Sequence, residues 1–400
     1  MIKLGREQIC PNCDGFNISG IKLPDNCEWC GINKPELVKL ETSTKLPKGK
    51  MSIIIGGQAG SESKGKLSGY LCDKYKPDLI VMTSSPNAGH TIVTPAGEKK
   101  VSYHLPIGAI MCDCPIVLGP ASLINPITFS KELQTLGIKP SRIVLDSRAS
   151  VITSWQISSE VKGHLSDIGS TLQGIGECRT NKMKRGGKHH LISDIQDEIE
   201  ELGISVVSNT SSITNRMLNE GKSVLCETTQ GFDLDLEHGI DPVHCTSKMI
   251  NPSMAMAEAG VSPSFVGEIF GVIRPYPIRV NNRSGSSGGY QESREISWED
   301  VARRCRYPEN HLNFGEMTTT TKLPRRVFNF SWVRFDYFMT ICRPTILCLQ
   351  FANYINWDAY CVREWTKLPH DVMDFVFRLS EVVPVKFIGT GPKHGDMIEL

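Results

Sequence analysis

Beyond residue 50 the chain alternates short apolar runs with longer mixed segments. Runs at 51–55, 79–82, 115–118, 142–145, 204–208, 223–226, 266–273, 345–349 and 385–389 are rich in Ile, Val and Leu and read as strands. Segments 64–75, 129–136, 192–202 and 371–381, which lie between several of them, carry a helical pattern. The alternation predicts an α/β fold with a mostly parallel central sheet and helices on both faces. Ile53-Ile54-Ile55 is apolar without interruption, as expected of a strand buried on both sides. Ligands in such sheets bind outside the carboxyl ends of the strands, so the loops that follow the strands should carry the chemistry. Residues 281–289 are a low-complexity patch that reads as a flexible loop. Residues 276–330 show little periodicity, and a loop-rich segment that long is expected to be functional.

The first strand runs into Gly56-Gly57-Gln58-Ala59-Gly60-Ser61-Glu62-Ser63-Lys64-Gly65-Lys66. Strand, glycine loop and helix together make a cradle in which loop amides and a helix N-terminus face an anion. Gly60-x4-Gly65-Lys66 is nearly a P-loop, but Leu67 stands where a P-loop has its magnesium-binding Ser or Thr. A phosphate loop of another kind and a plain tight turn both fit. After the second strand comes Asn87-Ala88-Gly89-His90-Thr91, which places a His at a strand end for acid–base work, or for a structural hydrogen bond. Ser170 to Gly176 followed by Arg179, Lys182, Lys184 and Arg185 suits a phosphate, or a solvated basic loop. Gln230 follows another strand and could hold a base or phosphate, while Asp233 and Asp235 read as structural. Thr318 to Thr321 with Arg325-Arg326 suits a dicarboxylate or a phosphate, or again a surface loop.

The net charge of +1 over 400 residues gives no general electrostatic case for nucleic acid or membrane binding. No apolar run reaches the length of a membrane span and no leader-like apolar stretch opens the chain, so a cytoplasmic setting is expected. Fourteen cysteines without an export signal read as thiols in a reducing compartment. Four of them, Cys10, Cys13, Cys27 and Cys30, are spaced C-x2-C-x13-C-x2-C, which suits tetrahedral zinc. A segment this small cannot bury a core, so structural Zn2+ would hold it together. Residues 36–50 read as a linker, which gives a zinc ribbon with linker at 1–48 and a catalytic domain at 49–400.

The ordered blocks resemble those of adenylosuccinate synthetase, which joins aspartate to a purine nucleotide at C6. The family's opening loop, Gly-x-Gln-x-Gly-Asp-Glu-Gly-Lys-Gly-Lys, is similar to residues 56–66. Asn-Ala-Gly-His-Thr stands intact at 87–91. Residues 168–176, 230–239 and Gly391-Pro392 resemble three further blocks, so the likeness runs from about 50 to 400 and leaves out the cysteine-rich N-terminus. It implies a P-loop-related fold, Mg2+ as cofactor and a homodimer.

The departures point to one branch. Ser61 replaces the loop aspartate that takes the N1 proton of IMP and binds magnesium, and Gln350-Phe351-Ala352 replaces the guanine-reading Lys-x-Asp. ATP or dATP is therefore expected as donor rather than GTP. Both changes resemble the phage PurZ-type branch, which acts on dGMP. The activity implied is ligation of L-aspartate to C6 of dGMP in the host cytoplasm, giving N6-succino-2-amino-2'-deoxyadenylate for diaminopurine DNA. By this resemblance Ser61, Lys64 and His90 are catalytic. Gly60, Glu62, Ser63, Gly65, Lys66, Asn87, Gly89, Thr91, Ser170, Thr171, Arg185, Gln230, Gly391 and Pro392 hold nucleotide and phosphate, with Arg185 reaching from a second subunit. Thr320, Thr321, Arg325 and Arg326 hold aspartate, and Ser61 with the Gly89 carbonyl holds Mg2+. Two other readings stay open: an ordinary synthetase acting on IMP, and a non-enzymatic nucleotide sensor whose zinc ribbon binds a partner.

Overall fold

A computed structural model describes residues 46–400 apart from 84, 164, 166, 167, 169, 186, 188, 282–286, 310–313 and 318–322. The four metal-spaced cysteines, Thr320 and Thr321 lie outside the described residues. The ten strands of the main sheet are, in chain order, β1 (Met51–Gly56), β2 (Leu79–Met82), β3 (Ile116–Leu118), β4 (Ile143–Asp146), β5 (Ser205–Val207), β6 (Val224–Glu227), β7 (Val266–Ile273), β8 (Ile346–Leu349), β9 (Val385–Gly389) and β10 (Met397–Glu399). They lie side by side in the order β5-β4-β3-β2-β6-β1-β7-β8-β9-β10. Every neighbouring pair is parallel except β9 and β10. Nine of these strands coincide, within a residue or so, with the apolar runs of the sequence. The tenth is a three-residue antiparallel edge strand, too short to show a period.

The triple isoleucine of β1 serves both faces of the sheet. Ile54 packs with Leu67 and Leu71 of the following helix, α1 (Lys64–Tyr75), while Ile53 faces Ala255 and Met256 of helix Pro252–Ala259. Ile55 joins Phe335 and Phe338 of helix Trp332–Cys342. All three isoleucines are fully buried, as in a sheet covered on both sides. Leu46 already belongs to this core, inside the stretch expected to be linker. Helix α1 lies close against the strand His90–Val93 because its facing residues are small. A Cβ on Gly69 would meet Ile92 Cδ1 at 2.1 Å, and one on Gly65 would meet the Thr91 carbonyl oxygen at 2.9 Å.

Successive strands step outwards in opposite directions from the centre. From β2 the chain adds β3, β4 and β5 on one side, and from β7 it adds β8, β9 and β10 on the other. The loops leaving β1, β2, β6, β7, β8 and β9 therefore gather at one end, around the point where the order reverses. Part of the segment 276–330, expected to be loop, forms a three-stranded antiparallel sheet of Ile278–Arg279, Arg326–Phe328 and Glu295–Ile296, followed by helix Trp298–Arg304. These strands span two or three residues each, too few to leave a pattern. No helix among the described residues is long and apolar enough to cross a membrane.

Candidate functional site

The glycine loop leaves β1 and turns through three left-handed residues: Gly60 at φ 87°, Ser61 at 60° and Ser63 at 67°. Its one carboxylate, Glu62, is fully buried. Glu62 accepts from the amides of Gly60 at 2.8 Å and Gln58 at 3.2 Å, and pairs with Lys64 Nζ at 2.8 Å. Gly56 and Gly231 make room for that carboxylate, since a Cβ on either would lie 2.5 Å from one of its oxygens. Glu62 thus braces the loop from inside, through the Gly60 and Gln58 amides and Lys64. Ser61 stays partly exposed, so the loop presents a hydroxyl, not a carboxylate, at its tip.

Lys66 points elsewhere. Its ammonium donates to the carbonyls of Gly391 and Asp396, both at 2.7 Å, and so ties α1 to the loop after β9. Burial pushes this ammonium down to about 8. Lys66 therefore holds the loop after β9, at Gly391 and Asp396, against α1.

His90 opens the strand that follows the Asn87 turn. Its Nδ1 lies 2.5 Å from Glu227, the last residue of β6. Glu227 is fully buried and also accepts from Ser68 Oγ at 2.5 Å and from the amides of Ile107 and Gly108 at 3.4 and 3.3 Å. Burial would raise its carboxyl, but the His90 hydrogen bond and charge, with those donors, hold it below the usual carboxylate range. Such a carboxylate fixes the imidazole ring and supports a positive charge on it. Next to it Gln230, itself left-handed at φ 67°, donates to Asn87 Oδ1 at 3.0 Å and so joins the loops after β2 and β6. Asp233 is buried between Arg334 Nε at 2.8 Å and the Tyr290 hydroxyl, and burial pushes its carboxyl up to about 6. Asp235 accepts from the amides of Glu237 and His238 at 2.8 and 2.9 Å, so both aspartates hold the loop, as the sequence led us to expect.

Arg274 follows β7 and is fully buried. It donates to the Ser61 carbonyl at 3.2 Å and pairs with Glu316 at 2.5 and 3.1 Å, with its guanidinium 4.3 Å above the Phe351 ring. Glu316 pairs at 2.6 Å with Arg325 as well. Despite burial, the two guanidiniums hold the Glu316 carboxyl down at about 2. Arg326 pairs with Glu295 and donates to the Gly288 carbonyl at 2.7 Å. Both guanidiniums assigned to aspartate are thus engaged by the protein's own carboxylates.

The segment before helix Ile175–Lys184 differs from expectation. Glu160, buried, accepts from the amides of Gly174 at 2.7 Å, Gly176 at 2.8 Å and Glu177 at 3.3 Å. The helix N-terminus is capped internally, so these glycine amides are not a phosphate cradle. Ser170 and Thr171 remain half-buried beside it, Lys182 donates to the Pro120 carbonyl at 3.0 Å, and Arg185 is exposed at the helix end. Among the described residues no contact joins Arg185 to the glycine loop.

Sequence reasoning missed Glu227, Arg274 and Glu316. Glu227 and Arg274 each carried a signal, a charged residue at or just after the end of an apolar strand, in Val-Leu-Cys-Glu and Phe-Gly-Val-Ile-Arg. Glu316 carried none. Among the described residues no group of three or more His, Cys, Asp or Glu is placed to hold a metal ion.

The adenylosuccinate synthetase family model matches residues 53–201 and 189–356. The N6-succino-2-amino-2'-deoxyadenylate synthase of Acinetobacter phage SH-Ab 15497 is 29% identical over 337 residues, 76% of this chain and 84% of that protein. The adenylosuccinate synthetase of Methanocaldococcus jannaschii is 32% identical over 360 residues, 87% of this chain and 96% of that protein. Among solved structures, the cyanophage S-2L succinoaminodeoxyadenylate synthetase (PurZ), bound to dGMP and to dATP as an energy donor, superposes with a TM-score of 0.75 at 28% identity, covering 88% of this chain and 95% of that one. The fully ligated adenylosuccinate synthetase of Plasmodium falciparum shares the fold, with a TM-score of 0.73 at 20% identity over 87% of this chain and 99% of that one. With strands β2 to β8 and most of β1 inside the family match, and the Asn87–Thr91 and Gln230–Gly231 loops meeting at one end of the sheet, the chain belongs to the adenylosuccinate synthetase family.

Proposed function

We propose that this protein ligates L-aspartate to C6 of dGMP using ATP or dATP, and yields N6-succino-2-amino-2'-deoxyadenylate, ADP or dADP, and phosphate. The observation that carries the reading is the tip of the glycine loop. Ser61 offers a hydroxyl there, and Glu62 cannot supply the missing carboxylate because it is buried and bonded to Gly60, Gln58 and Lys64. A hydroxyl accepts a hydrogen bond from the 2-amino group of guanine. A site built for that group discriminates against a base that lacks it.

In the first step O6 of dGMP attacks the donor γ-phosphorus, the nucleoside diphosphate leaves, and the base loses its N1 proton. In the second the α-amino group of aspartate attacks C6, phosphate leaves, and the amine loses a proton. Lys64 and the loop amides hold the transferring phosphoryl group. His90, oriented by Glu227, stabilises charge on O6 and the phosphoryl oxygens. Asn87, Gly89, Thr91, Gln230, Ser170 and Thr171 hold the nucleotide, and Arg185 of a second copy completes the phosphate site of a homodimer. Lys66, through Gly391 and Pro392, shapes the donor pocket. Thr320, Thr321, Arg325 and Arg326 take the aspartate carboxylates.

Magnesium would be an ion carried with the donor phosphates and held by hard oxygens of the Ser61 hydroxyl and Gly89 carbonyl, since among the described residues no group of carboxylates is placed to cage it. When bound, it neutralises charge across the phosphates. Cys10, Cys13, Cys27 and Cys30 hold a structural zinc. A second reading, turnover of IMP, is favoured by the 32% identity to the archaeal synthetase. The mechanism is tested with dGMP labelled with oxygen-18 at O6. The label should appear in the released phosphate and the succino adduct should form. Unlabelled phosphate, or phosphate release without an adduct, overturns it.

A further inference from the structure

Three cysteines meet about eight residues along α1 from the glycine loop. Cys72 is fully buried on α1, Cys112 ends the turn Ile107–Met111, and Cys114 precedes β3. The sulfurs of Cys112 and Cys114 lie 3.2 Å apart. Both cysteines are half-buried and line a surface cavity of about 590 Å³ with Lys76, Asp78 and Met111, so a small molecule reaches them. Arg142 fixes their backbone, donating from Nε and a terminal nitrogen to the Cys114 carbonyl at 3.0 and 2.8 Å and to the Ala109 carbonyl at 3.1 Å. Hydrogen bonds from Cys114 and Cys72, with the Arg142 charge, lower the Cys112 thiol. The hydrogen bond to Cys112 and burial raise Cys114. Two thiols this close share a proton, so one of the pair is a ready nucleophile.

We propose that Cys112 and Cys114 form a redox-active dithiol whose oxidant is a low-molecular-weight disulfide. The Cys112 thiolate attacks one sulfur of the disulfide, forms a mixed disulfide and expels one thiolate. Cys114 then releases its proton, attacks Cys112 Sγ and expels the second thiolate. Two cysteine thiols lose two protons and two electrons, and one disulfide becomes two thiols. The sulfurs need to approach by only about 1.2 Å to reach bonding distance.

The dithiol is coupled to the candidate active site through one short turn. The amides of Ile107 and Gly108, at the other end of that turn, hold Glu227, and Glu227 holds His90. The turn has no slack, because a Cβ on Gly108 would meet Ser68 Oγ at 2.2 Å and Cys72 Sγ at 2.9 Å. Drawing Cys112 towards Cys114 shifts those amides and disturbs His90. This consequence rests on the proposed ligase reading, whereas the thiol chemistry does not.

The experiment treats the reduced full chain with oxidised glutathione, quenches with acid, and maps cysteines by mass spectrometry. The Cys112–Cys114 disulfide should form about ten-fold or more faster than exposed Cys361 is modified. Cys114→Ser should stop at a stable mixed disulfide on Cys112, and Cys112→Ser should lose the fast reaction. Each variant should keep the basal phosphate release of the parent. Cys112 and Cys114 staying reduced while Cys361 reacts, or no adduct on Cys112 in Cys114→Ser, would overturn the proposal. Phosphate release in the parent should fall on oxidation and return with dithiothreitol, and oxidation at Cys112–Cys114 that leaves it unchanged refutes the coupling to His90. A preparation that releases no phosphate at all would count against the ligase reading, and the mass map would still decide the dithiol.

Discussion

Replacing Glu316 by Gln tests the ion-pair cluster that holds the glycine loop. In the folded chain its carboxyl lies at about 2 instead of 4.5, because the Arg274 and Arg325 guanidiniums outweigh burial. That displacement favours the anion by about 3 kcal/mol. Removing one partner of a buried pair costs about 3–5 kcal/mol by a separate route, since fully buried Arg274 would keep its charge without a counter-ion. The two agree on a loss of about 3 kcal/mol at neutral pH. Because the folded value is the lower one, this stabilisation is complete above 4.5 and is lost as pH falls towards 2. The gap between parent and Glu316→Gln should therefore narrow to about 2 kcal/mol at pH 3.5. Equilibrium urea unfolding followed by tryptophan fluorescence at both pH values measures it. A gap under about 0.5 kcal/mol at neutral pH, or one that widens on acidification, refutes the reasoning.

Three other outcomes follow from the site. Glu227→Gln keeps the shape but removes the charge behind His90, so kcat should fall about 100-fold with little change in substrate KM; steady-state phosphate release reads both. Lys66→Met should raise the KM for the donor nucleotide about ten-fold by freeing the Gly391 and Asp396 carbonyls. Burial disfavours the Lys66 charge, so the parent should gain stability as pH rises from about 8 towards 10.5 and the Met variant should lack that gain in pH-dependent urea melts. Ser61→Asp should fold normally, since Asp tolerates the left-handed φ of 60° at this position, and should shift preference from dGMP towards IMP by about ten-fold or more in competition assays.

The main sheet was legible because its strands are buried on both faces and so are written as unbroken apolar runs. The end of the sheet that carries the candidate site was partly legible, because Gly60, Asn87, His90 and Gln230 lie in the loops that follow those runs. What the sequence hid were partners distant in the chain. Glu227 stands 137 residues from His90, and Glu316 stands 42 from Arg274. The family resemblance places Glu62 and Lys66 among the nucleotide and phosphate residues, and it gave no sign that each also bonds inward, one to loop amides and one to carbonyls of the last loop. Glu160 misled in the opposite way. Sixteen residues before Gly176, it takes the helix N-terminus that the glycines appeared to offer to a ligand.

The most direct test of the central claim is phosphate release with L-aspartate and ATP or dATP, comparing dGMP, GMP and IMP side by side. The account predicts turnover with dGMP and little with IMP. Turnover with IMP and none with dGMP would contradict it and return the chain to the ordinary adenylosuccinate synthetases.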